Sequence, residues 1–222
     1  TIQDDNFVFC DFFSKIIKLN PSENLIYDLK SNTFSNKRYF DIEKIDFEGM
    51  SDDEIQSGYN DILTDAIKLR LRSDVKVGSC LSGGMDSSTI AAKASELYSS
   101  DEKFSAFHGQ AIEKQWDESN YAKDVSNNSN LDLHIVAPTS KNFIDVIEDV
   151  ITLQEEPFPG TSIFMGYFVF KTAKEQNCTV LLDGQGGDET LLGYEKYISP
   201  YLYHELTKHG PLKFMDSMYK CY

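Results

Sequence analysis

The chain has no apolar run long enough to cross a bilayer, and its opening residues are not expected to be a signal peptide. Its basic residues are outnumbered by acidic ones, 21 to 36, which counts against a nucleic-acid partner. Its net charge is −15 at pH 7, and an acidic surface repels a phosphate backbone. CxxC pairs are missing. Cys10, Cys80, Cys178 and Cys221 lie scattered, which points to a reduced, cytoplasmic thiol set and away from zinc. The four histidines are scattered as well, and no metal cluster is expected of them. What is present is ordinary for a soluble globular protein: 222 residues, 41% hydrophobic and 26% charged. That length can bury one large core or two smaller ones. The acidic residues are mostly dispersed, as on a solvated surface.

Residues 1–45 differ from the rest. Phe7 to Phe9, Phe12 to Leu19 and Asn24 to Leu29 read as short strands. Turn signals stand at Asn20-Pro21-Ser22-Glu23 and at Lys30-Ser31-Asn32-Thr33. This is too little chain for an independent β domain. Thr1 is not a natural start, so the segment is expected to be the last strands of something larger upstream. Lys37 to Asp41 then leads into a link.

From Ser51 onward helices and strands alternate. Ser51-Asp52-Asp53-Glu54 is a capping box. It opens a helix with Ile55, Tyr59, Ile62, Leu63, Ala66 and Ile67 at near-helical spacing. Lys68, Arg70 and Arg72 near its end read as charges complementing the helix dipole rather than as phosphate contacts. Strands are expected at Val75 to Leu81, Phe104 to His108, Leu131 to Val136 and, buried, Thr179 to Leu182. Helices are expected at Thr89 to Leu97, Asp117 to Val125, from a Ser140 cap onward, and at Ile163 to Ala173. The expected fold is α/β: a parallel sheet with right-handed crossovers and helices on both faces. Ligands then bind beyond the carboxyl ends of the strands.

Two loops sit at such ends. The first is Ser82-Gly83-Gly84-Met85-Asp86-Ser87-Ser88, between a strand and a helix. A glycine turn there aims unpaired N–H groups and the positive end of a helix at one point, which suits phosphate. Gly83 and Gly84 allow close backbone approach, and Ser82, Ser87 and Ser88 add hydroxyls. Asp86 is a carboxylate where an anion should sit, which makes sense if it holds Mg2+. This is not a Walker A loop, which needs a Lys before its Ser or Thr. The second loop is Asp183-Gly184-Gln185-Gly186-Gly187-Asp188-Glu189. Asp188 can give a second carboxylate to the same metal, and Lys196 can reach a departing phosphate as a cation. Taken alone, the second loop reads equally well as an ordinary Gly/Asp turn with an exposed Lys.

The first loop resembles the SGGxDS pyrophosphate loop of the ATP pyrophosphatases. With the second, the pattern resembles the synthetase domain of the glutamine-hydrolysing asparagine synthase family. The resemblance runs from about Ser51 to Tyr197. It includes Asp117-Glu118 with Tyr121-Ala122, Glu156-Pro157, Val180-Leu181-Leu182 and Gly193-Tyr194. Lys37-Arg38-Tyr39-Phe40-Asp41 is similar to the family's exit from its N-terminal glutaminase domain.

The resemblance implies a HUP-type, adenine nucleotide alpha-hydrolase-like domain over residues 46–222, with 1–45 closing a glutaminase-like domain and its linker. It implies ATP and Mg2+ as cofactors. Adenine lies against the backbone near Leu81 and Phe107, and the ribose-side contact near Asp183 and Gly184. Asp86 and Asp188 hold the metal. Pyrophosphate leaves against Ser82, Gly83, Gly84, Ser87, Ser88 and Lys196. Asp86, Gln185 and Lys196 are the implied catalytic set. The partners implied are a small-molecule carboxylate and ammonia from glutamine, with a homodimer as an allowed assembly and neither nucleic acid nor membrane.

Two departures stand out. Gln185 occupies a position where many family members carry an acidic residue, and Asp183 one where Ser is common. A carboxamide cannot take up a proton as a carboxylate can. The acyl substrate is therefore aspartate or another carboxylate (a sugar acid, lactam or peptide precursor), with Glu155, Glu156 or Glu189 as candidate replacements for the charge. A non-catalytic nucleotide-binding module is the remaining alternative. The glutaminase nucleophile, a Cys at the mature N-terminus in the family, has no counterpart at Thr1, and Cys10 reads as a packing residue. The family's C-terminal helices are mostly absent. An incomplete piece that does not itself hydrolyse glutamine is expected.

Overall fold

The computed structural model describes residue 13 and residues 16–41, 49–158 and 160–221. The strand expected at Phe7 to Phe9, and Cys10, lie outside the described residues.

A two-stranded antiparallel hairpin comes first, β1 (Glu23–Asp28) and β2 (Thr33–Arg38), in register from Glu23 opposite Arg38 to Asp28 opposite Thr33. The expected turn at Lys30 to Thr33 joins them. Asp28 Oδ1 accepts from the N–H groups of Lys30 and Ser31, which fixes that turn. β2 was not expected, because Thr33 to Arg38 has one large apolar residue and no alternation. Both faces of the hairpin are exposed, with Leu25 at 58% on one and Ile26 at 50% on the other. The strand expected over Phe12 to Leu19 reduces, among its described residues, to a single bridge at Ile17.

α1 (Asp52–Arg70) starts at the expected capping box. Ser51 Oγ accepts from Glu54 N at 3.3 Å, and Glu54 Oε2 accepts from Ser51 N at 2.8 Å. At the other end Arg70 donates to the Ala66 carbonyl, as a dipole-complementing cation should. Then follow β3 (Val77–Cys80), α2 (Met85–Leu97), β4 (Phe104–Gly109), a short 3-10 turn (Lys114–Trp116), α3 (Ser119–Asn128), β5 (Leu131–Val136), α4 (Ser140–Gln154), α5 (Ser162–Glu175) and β6 (Val180–Leu182). The cap of α4 is Thr139, not Ser140. The Thr139 hydroxyl accepts from Asn142 N, and Asn142 reaches back to Thr139 N. β6 is not the buried strand expected. It is an edge strand, with Val180 38% exposed. Beyond it come α6 (Gly187–Leu191), a 3-10 turn (Glu195–Tyr197), α7 (Ile198–His209) and α8 (Pro211–Lys220), none of them expected.

The four later strands form one parallel sheet in the order β5-β4-β3-β6. Side chains alternate across it. Val77, Leu81, Phe104, Ala106 and Leu131 pack with Ile67 of α1, Ala91 and Ala94 of α2 and Ala122 of α3. Phe107, with Cys80, Val136 and Leu181, packs on Val169 and Ala173 of α5. α4 covers α5 through Val146, Val150, Phe164 and Phe168. Helices thus cover both faces, as the alternation predicts. Phe104 and Phe107 are each 1% exposed, and burying such a ring contributes roughly 1.5–3 kcal/mol. Among the described residues no helix is long and apolar enough to cross a membrane.

Candidate active site

The chain steps from β3 to β4 to β5 in one direction, then returns to place β6 on the other side of β3. The strand order reverses between β3 and β6, and such a switch point opens a crevice at the carboxyl ends of the strands. Both glycine loops leave from those two ends, so the topology alone brings them together.

In the first loop, serines replace the missing side-chain cap of α2, whose N-cap is Gly84. Ser87 Oγ accepts from Ser82 N at 3.1 Å and lies 2.9 Å from Ser82 Oγ, and Ser82 Oγ accepts from Gly84 N at 3.1 Å. Ser87 Oγ donates in turn to the Gly84 carbonyl. This closed pattern draws Asp86, Ser87 and Ser88 into the first helical turn, so α2 begins at Met85 rather than at Thr89. Gly83 has φ +98°, and a Cβ there would lie 2.8 Å from Tyr121 Cβ and 3.1 Å from Ala122 N. The loop therefore rests directly on the first turn of α3.

In the second loop, Asp183 Oδ1 accepts from Gly184 N at 2.7 Å. A Cβ on Gly184 would come within 2.9 Å of Ser87 N, and a Cβ on Gly187 would overlap the Asp86 carboxylate. A Cβ on Gly193 would overlap the Asp188 carboxylate in the same way. The two loops form a cleft of about 560 Å3 lined by Ser82, Gly84, Asp86, Ser87, Asp183, Gly184, Gln185, Gly186, Asp188, Glu189 and Tyr194, among others. Four of its lining residues are carboxylates, and none of the described lining residues is Lys or Arg. Hard oxygen donors without a protein cation suit Mg2+, and an anionic nucleotide needs such a counter-charge to enter. Tyr194 records the same field. Its hydroxyl donates to Glu189 Oε1 at 3.3 Å, and Glu189, then desolvation and Asp188, push its phenol above the usual range.

Lys196 is not brought into this cleft. Its Nζ sits 4.5 Å from the Tyr194 ring centre and 5.2 Å from that of Tyr197. Leu81 and Phe107 meet each other, Leu81 N donating to the Phe107 carbonyl at 2.9 Å, but their side chains are buried in opposite core layers. Ser88 Oγ is buried without a hydrogen-bond partner among the described residues. Of the three glutamates considered as substitutes for an acid at position 185, only Glu189 lines the cleft. Glu156 instead pairs with Lys18 at 2.7 Å. A larger cavity of about 800 Å3 lies between α4 and α5, lined by Val150, Leu153, Ile163, Tyr167 and Phe170, and holds none of the motif residues.

One network was not read from the sequence. His108 Nδ1 lies 2.8 Å from the Leu81 carbonyl, the last residue before the first loop, and its Nε2 lies 2.9 Å from Ser119 Oγ. Ser119 Oγ donates to Asp117 Oδ1 at 2.5 Å, and Gln110 donates to Asp117 Oδ2 at 3.0 Å. The Ser119 hydroxyl first, then Gln110 and the Ser119 N–H, hold the Asp117 carboxyl down at about 2. This chain, buried at His108 and Ser119, ties the end of β3 to the same turn of α3 that supports Gly83. Beneath the cleft, burial first and then Asp183 and Cys178 push the Cys80 thiol up to about 12.

The Asparagine synthase family profile matches residues 58–217, most of the chain. The chain belongs to the asparagine synthase family. A "Putative asparagine synthetase (glutamine-hydrolyzing) 2" of Methanocaldococcus jannaschii is 33% identical over 193 residues, covering 85% of this chain and 36% of that protein. Amidase chyE of Penicillium rubens is 28% identical, covering 84% and 30%. Asparagine synthetase (glutamine-hydrolyzing) 1 of Bacillus subtilis is 31% identical, covering 67% and 23%. The chain thus spans about a third or less of the length of these relatives. The solved structure of an NH3-dependent NAD synthetase from Campylobacter jejuni overlaps at a TM-score of 0.41 and 19% identity, over 62% of this chain and 60% of that one. The strand order and the two loops, both inside the matched asparagine synthase region, define the site independently of that overlap.

Proposed function

We propose that this chain carries the ATP-cleaving site of an asparagine synthase-type ligase, which adenylates a carboxylate and passes the acyl group to ammonia released from glutamine. The observation that carries this reading is the convergence of Asp86 and Asp188, from two strand ends, on one glycine-walled cleft at the switch point. The triphosphate lies along the Ser82–Ser88 loop, its oxygens facing the first N–H groups of α2 and the Ser82 and Ser87 hydroxyls. Asp86 and Asp188 are the residues that would hold Mg2+, which neutralises phosphate charge when bound. A substrate carboxylate oxygen bonds to the α-phosphorus as the bond to the pyrophosphate oxygen breaks. Ammonia then bonds to the acyl carbon, and AMP leaves with the electron pair of the acyl C–O bond. Lys196 swings from its tyrosine rings to meet the departing pyrophosphate. The acyl substrate, the ammonia source, a homodimer and a cytoplasmic setting belong to the same proposal, as does assigning residues 1–45 to a separate preceding unit.

A second reading changes the carboxylate. Gln185 lines the cleft where a family acid is common, no Lys or Arg among the described residues lines it to pair the extra carboxylate of aspartate, and relatives named asparagine synthetase and amidase match at comparable identity. The test is product analysis with Mg-ATP, aspartate and other carboxylates, on the wild type and on Asp86→Asn. AMP and pyrophosphate, lost in the variant, are expected. ADP and phosphate would overturn the proposal.

A further inference from the structure

The end of α7 holds a cluster that the cleft does not use. His204, Glu205 and His209 each bring one ligand atom to within 4.8 Å of the other two. Glu205 and His209 stand one helical turn apart, with Glu205 Oε1 4.0 Å from His209 Nε2. Both imidazoles are exposed, but the Glu205 side chain is only 9% exposed. Ser217 Oγ, on α8, donates to Glu205 Oε2 at a long 3.3 Å and itself accepts from Tyr201. Oε1 has no hydrogen-bond donor within reach among the described residues. A carboxylate buried with so little support is costly unless a cation meets it. Gly210, at φ +83°, ends the helix directly after His209, and Pro211 opens α8, so the imidazole is held at the negative end of the α7 dipole.

We propose that His204, Glu205 and His209 form a binding site for a divalent transition metal of the zinc type. Two imidazole nitrogens and one carboxylate oxygen supply three ligands, and water completes a tetrahedron. Metal–ligand bonds of about 2.0–2.1 Å need donor atoms about 3.3 Å apart, so the present spacing closes by rotation of two exposed histidines. Imidazole ligands select Zn2+, Ni2+ or Cu2+ over Mg2+. The Ser217 hydrogen bond to Oε2 holds the carboxylate in place and leaves Oε1 for the ion. Because Ser217 lies on α8, a metal here fastens α7 to α8. The scattered histidines of the sequence gave no hint of this, since the buried carboxylate between them is visible only in the fold.

The test is calorimetric titration of the whole protein with Zn2+, and separately Ni2+, in a buffer already holding Mg2+. One equivalent is expected to bind and to raise the thermal midpoint. His204→Ala and His209→Ala, both at exposed positions where folding is not at risk, should each weaken it at least about tenfold, and Ser217→Ala by about 10-fold or more. Unchanged affinity in both histidine variants would assign the metal to the cysteines or the cleft and overturn the site. So would absence of binding at millimolar metal.

Discussion

Two neighbouring glycines in the second loop separate backbone strain from site geometry. Gly186 has φ +94° and nothing within 4 Å of an added Cβ. Gly186→Ala forces a side chain into the left-handed region, at a cost of about 1–2 kcal/mol, but touches no neighbour. In a chain of this size that lowers the thermal midpoint by about 2–8 °C. Gly187 opens α6 with no positive φ, and its Cβ would fall on the Asp86 carboxylate. Gly187→Ala gains up to about 1 kcal/mol of helix propensity while displacing the acid that the proposed chemistry needs. The two variants should therefore part company. Gly186→Ala melts early, leaves Asp86 in place and loses less Mg-ATP affinity than Gly187→Ala. Gly187→Ala melts near the wild-type temperature and loses at least about tenfold in Mg-ATP affinity and pyrophosphate release, equivalent to about 1.4 kcal/mol. Calorimetry with Mg-ATP, a pyrophosphate-release assay and a thermal scan on the same samples decide it. Wild-type affinity in Gly187→Ala would refute the placement of Asp86 against the second loop.

Gly83→Ala combines positive φ with contacts of 2.8–3.1 Å to Tyr121, Ala122 and Glu118, so it should lose both thermal stability and nucleotide affinity in those two assays. Asp117 titrates lower when folded than its unfolded value of 3.8, so its stabilising contribution is present above about pH 4 and disappears as pH falls toward 2. Asp117→Asn should flatten the acid limb of a circular-dichroism titration in that window and leave the curve above pH 5 parallel to wild type. Cys80, pushed up to about 12, should resist alkylation at pH 8 in the folded protein and react after denaturation. Fast labelling of Cys80 without unfolding, read by peptide mass spectrometry, would contradict its placement.

The parts of the fold that were legible in sequence are those whose periodicity and caps agree. Ser51 and Glu54 specified the start of α1 because each satisfies the other's backbone donor. β3, β4 and β5 read as strands because short apolar runs follow turn residues. The edges misled. β6 is three residues of apolar sequence at the rim of the sheet, and composition cannot distinguish a rim from a centre. β2 is held by hairpin pairing alone, with no buried face to impose alternation. Residues 198–220 carry two helices whose only buried residues are Glu205 and Ser217, so the polar contact between them lay outside any hydrophobic pattern.

The candidate site was legible in the residue types that the fold brings together and not in its supports. Ser82, Asp86 and Asp188 stand in glycine-rich loops, where sequence can announce a close backbone approach. Their meeting follows from strand order, which puts β6 beside β3 and therefore sets the second loop against the first. His108 gave no signal, because a histidine closing an apolar strand reads as core. Yet it joins the Leu81 carbonyl to Ser119 and Asp117, and so couples the first loop to the same α3 turn on which Gly83 rests. A loop that must present N–H groups to phosphate gains from a floor fixed on two sides, since preorganised donors need not reorganise as charge moves. Ser119→Ala isolates that role. It leaves every cleft-lining side chain in place while breaking the link between His108 and Asp117. It should lower the rate of pyrophosphate release more than it weakens Mg-ATP binding. An equal loss in both would assign Ser119 to ground-state binding rather than to holding the loop for the reaction.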